Sequence, residues 1–226
     1  MEHELLRERS RITARHDAAL RRWGSDTTRP ELRQDLLAGV RELEHNLSAS
    51  EAAGLSALEL SRTTRWIADA CADLACHQRV PHGEDRRWLL RALAAYHRAC
   101  ELLVGLDAPR DFAVLAFNHA NTIRRLDTED AELLAAAKAR YEAALPYFDA
   151  FEPARSAEVQ EALDSLRVLQ ELAPPPRRAG ARRDDVAEVK AALRAEEGPC
   201  SASPEIFAVG RGRGDALHGR PMGLVN

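Results

Sequence analysis

The sequence predicts an all-α protein of stacked antiparallel helical hairpins, and three observations support this fold class. Residues 73–103 align without a gap on residues 118–148, 45 positions later, with nine identities in 31 positions. Alanine reaches 41 residues while aromatic residues make up 5%, which favours closely packed helices over a sheet. Proline and glycine separate segments whose apolar residues recur at helical spacing. A fixed period of roughly 20 to 50 residues is typical of stacked helical repeats.

The first three helices are predicted from their apolar stripes and start signals. The first runs from Glu2 to Trp23 and is followed by glycine. The second begins near Pro30, whose fixed φ suits a first helical turn, and reaches about Asn46. Ser48 and Glu51 have the spacing of a capping box, so we expect the third helix to start there and to run to about Arg79.

Acidic residues and turn formers delimit the next two helices. Glu84 and Asp85 fall in the first turn of the fourth helix, where the helix dipole favours negative charge. This helix stops at Gly105. Pro109 then marks the start of the fifth helix, which ends near Leu126.

The last two helices of the body are also bounded by caps and prolines. Asp127 or Thr128 is expected to cap the sixth helix. Pro146 should kink or end it, because proline lacks the donor that an interior helical position needs. The seventh helix follows Pro153 and reaches about Leu172.

The pattern divides the chain into a helical body and a tail. Residues 1–173 form the body, with repeat units at about 55–105 and 108–150 and capping helices at both ends. Residues 174–226 hold six of the eleven prolines and seven of the twelve glycines. We expect this Pro/Gly/Arg-rich tail to be disordered and flexible, apart from a short helix at residues 183–197, because it lacks the apolar residues to offset ordering entropy.

Composition excludes several classes of protein. The net charge of −4 gives no electrostatic argument for nucleic-acid binding, although 30 of the 32 basic residues are arginine. The amino terminus is charged from its second residue, unlike a secretory signal, and no apolar run is long enough to cross a bilayer. The four cysteines lack the spacing of a disulfide scaffold. We expect a cytoplasmic protein with reduced thiols and no membrane association.

The two copies carry the same motif in their second helix. It reads Ala92-x-x-x-Tyr96-x-x-Ala99 in the first copy and Ala137-x-x-x-Tyr141-x-x-Ala144 in the second. This pattern resembles the second-helix signature of tetratricopeptide repeats (TPR), in which small residues flank an aromatic one. The resemblance covers about 80 residues; the period of 45 is longer than the usual 34, and the first-helix pattern Trp-x-x-Leu-Gly-x-x-Tyr is missing. The segment from Asn118 to Asn121 is also similar to repeats attached to bacterial caspase-like CHAT proteases, although the chain has no protease domain.

The resemblance to tetratricopeptide repeats implies a short TPR-like α-solenoid that binds a peptide or protein in a groove lined by its first helices. We therefore expect a non-catalytic interaction module or adaptor. The groove positions that align with the family are Ala72, Cys76 and Arg79 in the first copy and Phe117, Asn118, Asn121 and Arg124 in the second. Of these, Arg79, Phe117, Asn118, Asn121 and Arg124 are the predicted partner-binding residues. Asparagine and arginine can hold a peptide backbone or a carboxylate through directed donors.

Other classes of function stay open as alternatives. A helix-turn-helix DNA-binding regulator is possible around Arg65 and Trp66, although the acidic balance opposes it. Glu42 and His45 have the spacing of a di-iron ligand pair, but a second pair is missing. No Gly-x-Ser-x-Gly, Walker or dinucleotide-binding motif is present. We therefore expect no catalytic residue, no metal and no cofactor, while a helical enzyme without a recognisable motif remains an alternative and homo-oligomerisation stays open.

Overall fold

A computed structural model describes residues 1–25, 30–75, 82–126 and 130–172. Within these ranges the chain forms seven helices and no strand, which confirms the all-α prediction. They are α1 (Glu2–Ser25), α2 (Pro30–Ala52), α3 (Ala57–Ala75), α4 (His82–Leu103), α5 (Pro109–Leu126), α6 (Ala131–Phe151) and α7 (Pro153–Leu172). The predicted tail with its short helix, and the groove residues Cys76 and Arg79, lie outside the described residues.

Each helix packs against the one before it, so the chain folds as a stack of antiparallel hairpins. In addition, α3 contacts both α1 and α5. The odd-numbered helices α1, α3 and α5 therefore lie side by side and run in the same direction. We call the surface that they share the first-helix face.

Two groups of buried apolar residues hold the stack together. The first fills the space between α1, α2, α3 and α4 and includes Ile12, Leu43 and Leu74. The second lies between α5, α6 and α7, and Leu93 of α4 also belongs to it. The hairpins α3–α4 and α5–α6 therefore meet over a continuous interior rather than forming separate units.

The shared motif of the two second helices lies in this interior. Tyr96 is 1% exposed and Tyr141 is fully buried. The small residues of the motif, Ala92, Ala99, Ala137 and Ala144, are also fully buried. Ser61 Oγ of α3 donates to the carbonyl oxygen of Ala99 at 2.8 Å, so the helix backbones approach closely where the side chain is small. Both motifs therefore lie in packing contacts between helices.

The connection between α2 and α3 differs from the prediction. Ser48 lies within α2 and its hydroxyl donates to the carbonyl of Glu44, so the predicted capping box does not start a helix. The α2 helix ends instead at Ala52 and is followed by Gly54, whose φ of +70° is one that glycine adopts without strain. The amides of Gly54 and Leu55 close a Schellman motif on the carbonyls of Glu51 and Ser50.

Two further details concern α6. Its amino-terminal cap is Asp130, whose Oδ1 accepts from the amides of Glu132 at 3.0 Å and Leu133 at 3.2 Å. The prediction of Asp127 or Thr128 as the cap was wrong, since the helix begins later. Pro146 does not end α6, which continues to Phe151.

Among the described residues, none of the helices has the length and apolar character needed to span a membrane.

Candidate functional site

A chain of ion pairs joins α1, α3 and α5 at the end of the first-helix face where α3 and α5 begin. Arg9 Nη2 lies 2.7 Å from Glu59 Oε2, and Arg62 Nη1 lies 2.7 Å from Glu59 Oε1. Arg62 also binds both carboxylate oxygens of Asp111, at 2.8 and 2.9 Å. Glu59 and Asp111 lie in the first turns of their helices, where the helix dipole favours negative charge. These ion pairs fix the lateral order of the three helices.

The pKa values of the residues in this ion-pair chain follow from their pairing. Burial alone would raise the pKa of Glu59, but the guanidinium groups of Arg9 and Arg62 lower it overall. Asp111 behaves in the same way: burial alone would raise its pKa, but Arg62, with smaller contributions from Arg65 and Arg110, lowers it overall. The hydrogen bonds to Asp111 raise the pKa of Arg62. Glu59, Arg62 and Asp111 are therefore charged at neutral pH.

Farther along α3, the carboxylate of Asp69 joins three helices. Its Oδ1 accepts from the Tyr96 hydroxyl at 2.6 Å and from Asn118 Nδ2 at 2.9 Å. Its Oδ2 lies 3.4 Å from Arg65 Nη1, and the Arg65 guanidinium lies over the ring of Trp66 at 5.1 Å. Burial raises the pKa of Asp69, against the lowering by Arg65 and by the two hydrogen bonds.

One turn after Asp69, Asp73 marks the more accessible part of this face. Its side chain is 34% exposed, and its Oδ2 lies 3.2 Å from Nε2 of His16, whose side chain is 2% exposed. No lysine or arginine among the described residues pairs with Asp73. Together, Arg62, Trp66, Asp69 and Asp73 form a half-buried stripe along α3.

The predicted residues Asn118 and Asn121 line the neighbouring part of α5, and both are held by other side chains. Asn118 donates to Asp69, as described above. Asn121 Oδ1 accepts from the Tyr141 hydroxyl at 2.6 Å. Both asparagines are half-buried, so each combines a structural contact with a surface that a partner can reach.

The other predicted residues occupy different environments. Phe117 packs between α5 and α6, with its ring centroid 5.8 Å from Tyr141 and 6.1 Å from Phe148. Ala72 is buried, at 5% exposure. Arg124 is half-buried at the end of α5 and forms no ion pair with a described residue. The structure therefore brings Asn118, Asn121 and Arg124 onto one helix and turns most of Phe117 towards the interior.

A buried imidazole lies behind this face, between α4, α5 and α6. His119 is 1% exposed, stacks on Tyr96 at 5.3 Å, and its Nδ1 accepts from Arg140 Nε at 3.1 Å. Burial, together with the charge of Arg140, lowers the pKa of His119 well below its usual value. His119 is therefore neutral and acts as a packing group with one acceptor in use.

The residues considered for catalysis or metal binding do not converge. Glu42 pairs with Arg15, while His45 is exposed in an open groove of about 700 Å³ between α1 and α2. Cys71 is a free, buried thiol, and burial raises its pKa to about 12. Across the described residues, no three His, Cys, Asp or Glu side chains are placed to hold a metal ion together.

Sequence reasoning identified Asn118 and Asn121 but missed Trp66, Asp69 and His16 as members of this region. The 45-residue alignment contains one signal, because it places Asp73 at the position of Asn118 in the second copy. A polar pair at equivalent positions of two first helices indicates a shared surface. No comparable signal exists for Asp69, since its equivalent is Val114.

Comparison of the chain with protein-family models, with curated proteins and with solved structures gives no match.

Proposed function

We propose that this chain is a non-catalytic interaction module of the tetratricopeptide-like type, which binds a segment of a cytoplasmic protein partner on its first-helix face. The observation that supports this proposal is the lateral arrangement of α1, α3 and α5. Their side chains bond across the helix boundaries and leave a half-buried stripe of polar and aromatic groups between them. Such a surface offers both hydrogen-bonding groups and partly desolvated apolar area.

Preorganisation favours this function. Binding costs free energy when flexible side chains become ordered at the interface. Here Asn118 is already held by Asp69, and Asn121 is already held by Tyr141. Because these groups are fixed before a partner arrives, less side-chain entropy is lost on binding. The free amide atoms of the two asparagines would then contact the backbone of the partner.

Arg124 supplies a charge for recognition at the end of this surface. It is half-buried and lies close enough to Tyr141 to affect the pKa of its hydroxyl: burial raises this pKa, and Arg124 opposes the rise. An arginine that is partly desolvated and lacks an ion pair with a described residue is suited to a carboxylate of the partner.

The test starts from peptides selected from a random library on the full chain, whose affinities are then measured for two variants. Arg124→Ala should weaken binding about tenfold, the value of one charge-assisted hydrogen bond, without changing the melting temperature. The matched control is Arg167→Ala, which removes a 70% exposed arginine on α7. An unchanged affinity of Arg124→Ala, or an equal loss in the control, would remove the first-helix face as the binding site.

A further inference from the structure

His16 of α1 lies against α2 at Gly39, a residue without a side chain. A Cβ atom on Gly39 would lie 3.3 Å from His16 Nδ1, which is tighter than ordinary van der Waals contact. Gly39 is in the middle of α2, where glycine is less favourable than alanine. The absence of a side chain at residue 39 therefore makes room for the imidazole of His16.

The unpaired nitrogen of His16 determines which ring atom carries the proton. Nδ1 is buried and has no hydrogen-bond partner among the described residues. A neutral imidazole has one N–H donor and one bare acceptor. An N–H on Nδ1 would be a buried donor without a partner, whereas Nε2 faces a carboxylate oxygen, which can only accept. We therefore assign the proton to Nε2, which donates to Asp73 Oδ2 at 3.2 Å.

This arrangement breaks two rules of stable packing at one place. It buries a polar ring in a mostly apolar interior, and it places glycine inside a helix. Natural proteins usually break such local rules where function requires it. Here, the buried imidazole of His16 and the glycine at residue 39 together place a buried donor against one carboxylate, Asp73, at the first-helix face.

The charges around Asp73 indicate what it could recognise. Arg62 is engaged by Glu59 and Asp111, and Arg65 is engaged by Asp69. Asp73 is 34% exposed, and among the described residues it bonds only to His16. It therefore presents a negative charge that no described lysine or arginine balances.

We propose that Gly39 and His16 position Asp73 to bind the cationic side chain, lysine or arginine, of a protein segment that docks on the first-helix face. This inference rests on the proposed function and adds the chemistry of the partner. Asp73 contacts the ligand, whereas His16 and Gly39 are positioning residues that act through it.

The experiment uses the full chain and an array of 12-residue peptides in matched pairs. Each pair differs only in that arginine is replaced by citrulline, which keeps the shape and removes the charge. Retention is measured at about 0.15 M salt, where the field of distant charges is largely screened. We expect the protein to retain the preferred arginine peptides about tenfold more strongly than their citrulline counterparts.

Variants assign this preference to Asp73. Asp73→Asn, which can still accept from His16, should reduce the preference to less than about twofold. Asp164→Asn removes an exposed carboxylate of α7 and should leave the preference unchanged, which controls for the overall negative charge of the chain.

The role of His16 is tested by a conservative replacement. His16→Gln keeps a side-chain N–H donor and should retain the arginine preference, whereas His16→Ala should lose it while citrulline peptides bind as before. A purely structural role of His16 would weaken both members of each pair equally and would contradict the proposed positioning role.

Other results overturn the inference and show which part failed. Peptides that bind equally with arginine and citrulline, and whose binding still depends on Arg124, reject the cation site and leave the proposed function standing. If the array contains no binder at all, both fail. If the full chain self-associates and Asp73→Asn abolishes the association, the occupant is a second copy of this chain rather than a separate basic segment.

Discussion

The Tyr96 hydroxyl donates to Asp69 Oδ1 at 2.6 Å, and Asn118 Nδ2 donates to the same oxygen at 2.9 Å. One carboxylate oxygen therefore joins α3, α4 and α5, which belong to two successive hairpins. Because the side chain of Asp69 is only 17% exposed, burial of its charge costs free energy, and loss of its acceptor oxygen would leave the donors of Tyr96 and Asn118 unpaired. These two properties can be separated by mutation.

Asp69→Asn should preserve both hydrogen bonds, because the amide oxygen can accept from Tyr96 and Asn118. Asp69→Ala should destabilise the protein by about 2 kcal/mol or more, since the buried Tyr96 hydroxyl then lacks its acceptor. Chemical denaturation of the two variants at neutral pH checks this order. If both variants lost equal stability, the bonds to Asp69 would not be what matters at this position.

The pH dependence of these variants follows from the raised pKa of Asp69. A carboxyl whose pKa is higher in the folded state adds stability that is fully present below its unfolded pKa. That stability is lost as the pH rises through the folded pKa. The melting temperature of Asp69→Asn, relative to the natural chain, should therefore increase between about pH 4 and neutral pH. A constant difference across this range would contradict a raised pKa.

For the acidic residues of the ion-pair chain, the pH dependence of stability has the opposite sign to that of Asp69. The pKa values of Glu59 and Asp111 are lowered in the folded state, so their contribution is present above the unfolded values and is lost as the pH falls through the folded values. Arg62→Ala should cost about 1 to 2 kcal/mol at neutral pH, a value reduced because Arg62 is 37% exposed. Below about pH 5, the unfolding free energy of Arg62→Ala should also fall less steeply than that of the natural chain.

The matched control for Arg62 is Arg98, which is 57% exposed and pairs with Glu101 within α4. Arg98→Ala should change the unfolding free energy by less than about 0.5 kcal/mol. Urea denaturation between pH 3 and 7 compares the two variants. An equal effect at both positions would show that the pairing across α1, α3 and α5 adds nothing to an ordinary surface ion pair.

Tyr141 combines packing with a hydrogen bond to Asn121, and two substitutions separate them. Tyr141→Phe removes only the hydroxyl and should cost about 1 kcal/mol. Tyr141→Ala should cost about 3 kcal/mol or more, because it leaves a cavity between α5 and α6. Calorimetry distinguishes these values, and an effect of Tyr141→Ala near zero would argue against the packing of the second hairpin.

Gly39 and His16 should be energetically coupled. In the natural chain, Gly39→Ala places a Cβ atom 3.3 Å from His16 Nδ1, so the usual gain of about 1 kcal/mol for alanine in a helix should be absent. In a His16→Ala background the same substitution should recover that gain. A double-mutant cycle measures the coupling, and additive effects would show that the contact is not restrictive.

The sequence predicts the helices of this protein well because their signals are local. Pro109 and Gly105 mark a start and an end through their own backbone preferences, and both are found where expected. The wrongly predicted start of the third helix also has a local cause. Ser48 and Glu51 match a capping box, but the Schellman motif at Gly54 allows α2 to continue past them.

The candidate surface is predictable only where a sequence pattern points to it. Asn118 and Asn121 were predicted as groove positions that align with the tetratricopeptide family. Asp69 and His16 were not, because their contacts join residues that are 49 and 57 positions apart. Such contacts depend on how the helices pack, and helical periodicity alone gives no information about which neighbour a polar side chain will meet.

The central claim, that a partner binds on the first-helix face, is tested most directly by amide NMR of the full chain. The spectrum is recorded during titration with the peptide that the library selection enriches most. We predict that shift changes concentrate on α3 and α5, around Asp73, Asn118 and Asn121. Changes confined to the outer surface of α7, around Gln160 and Asp164, or to residues 173–226, would contradict the account.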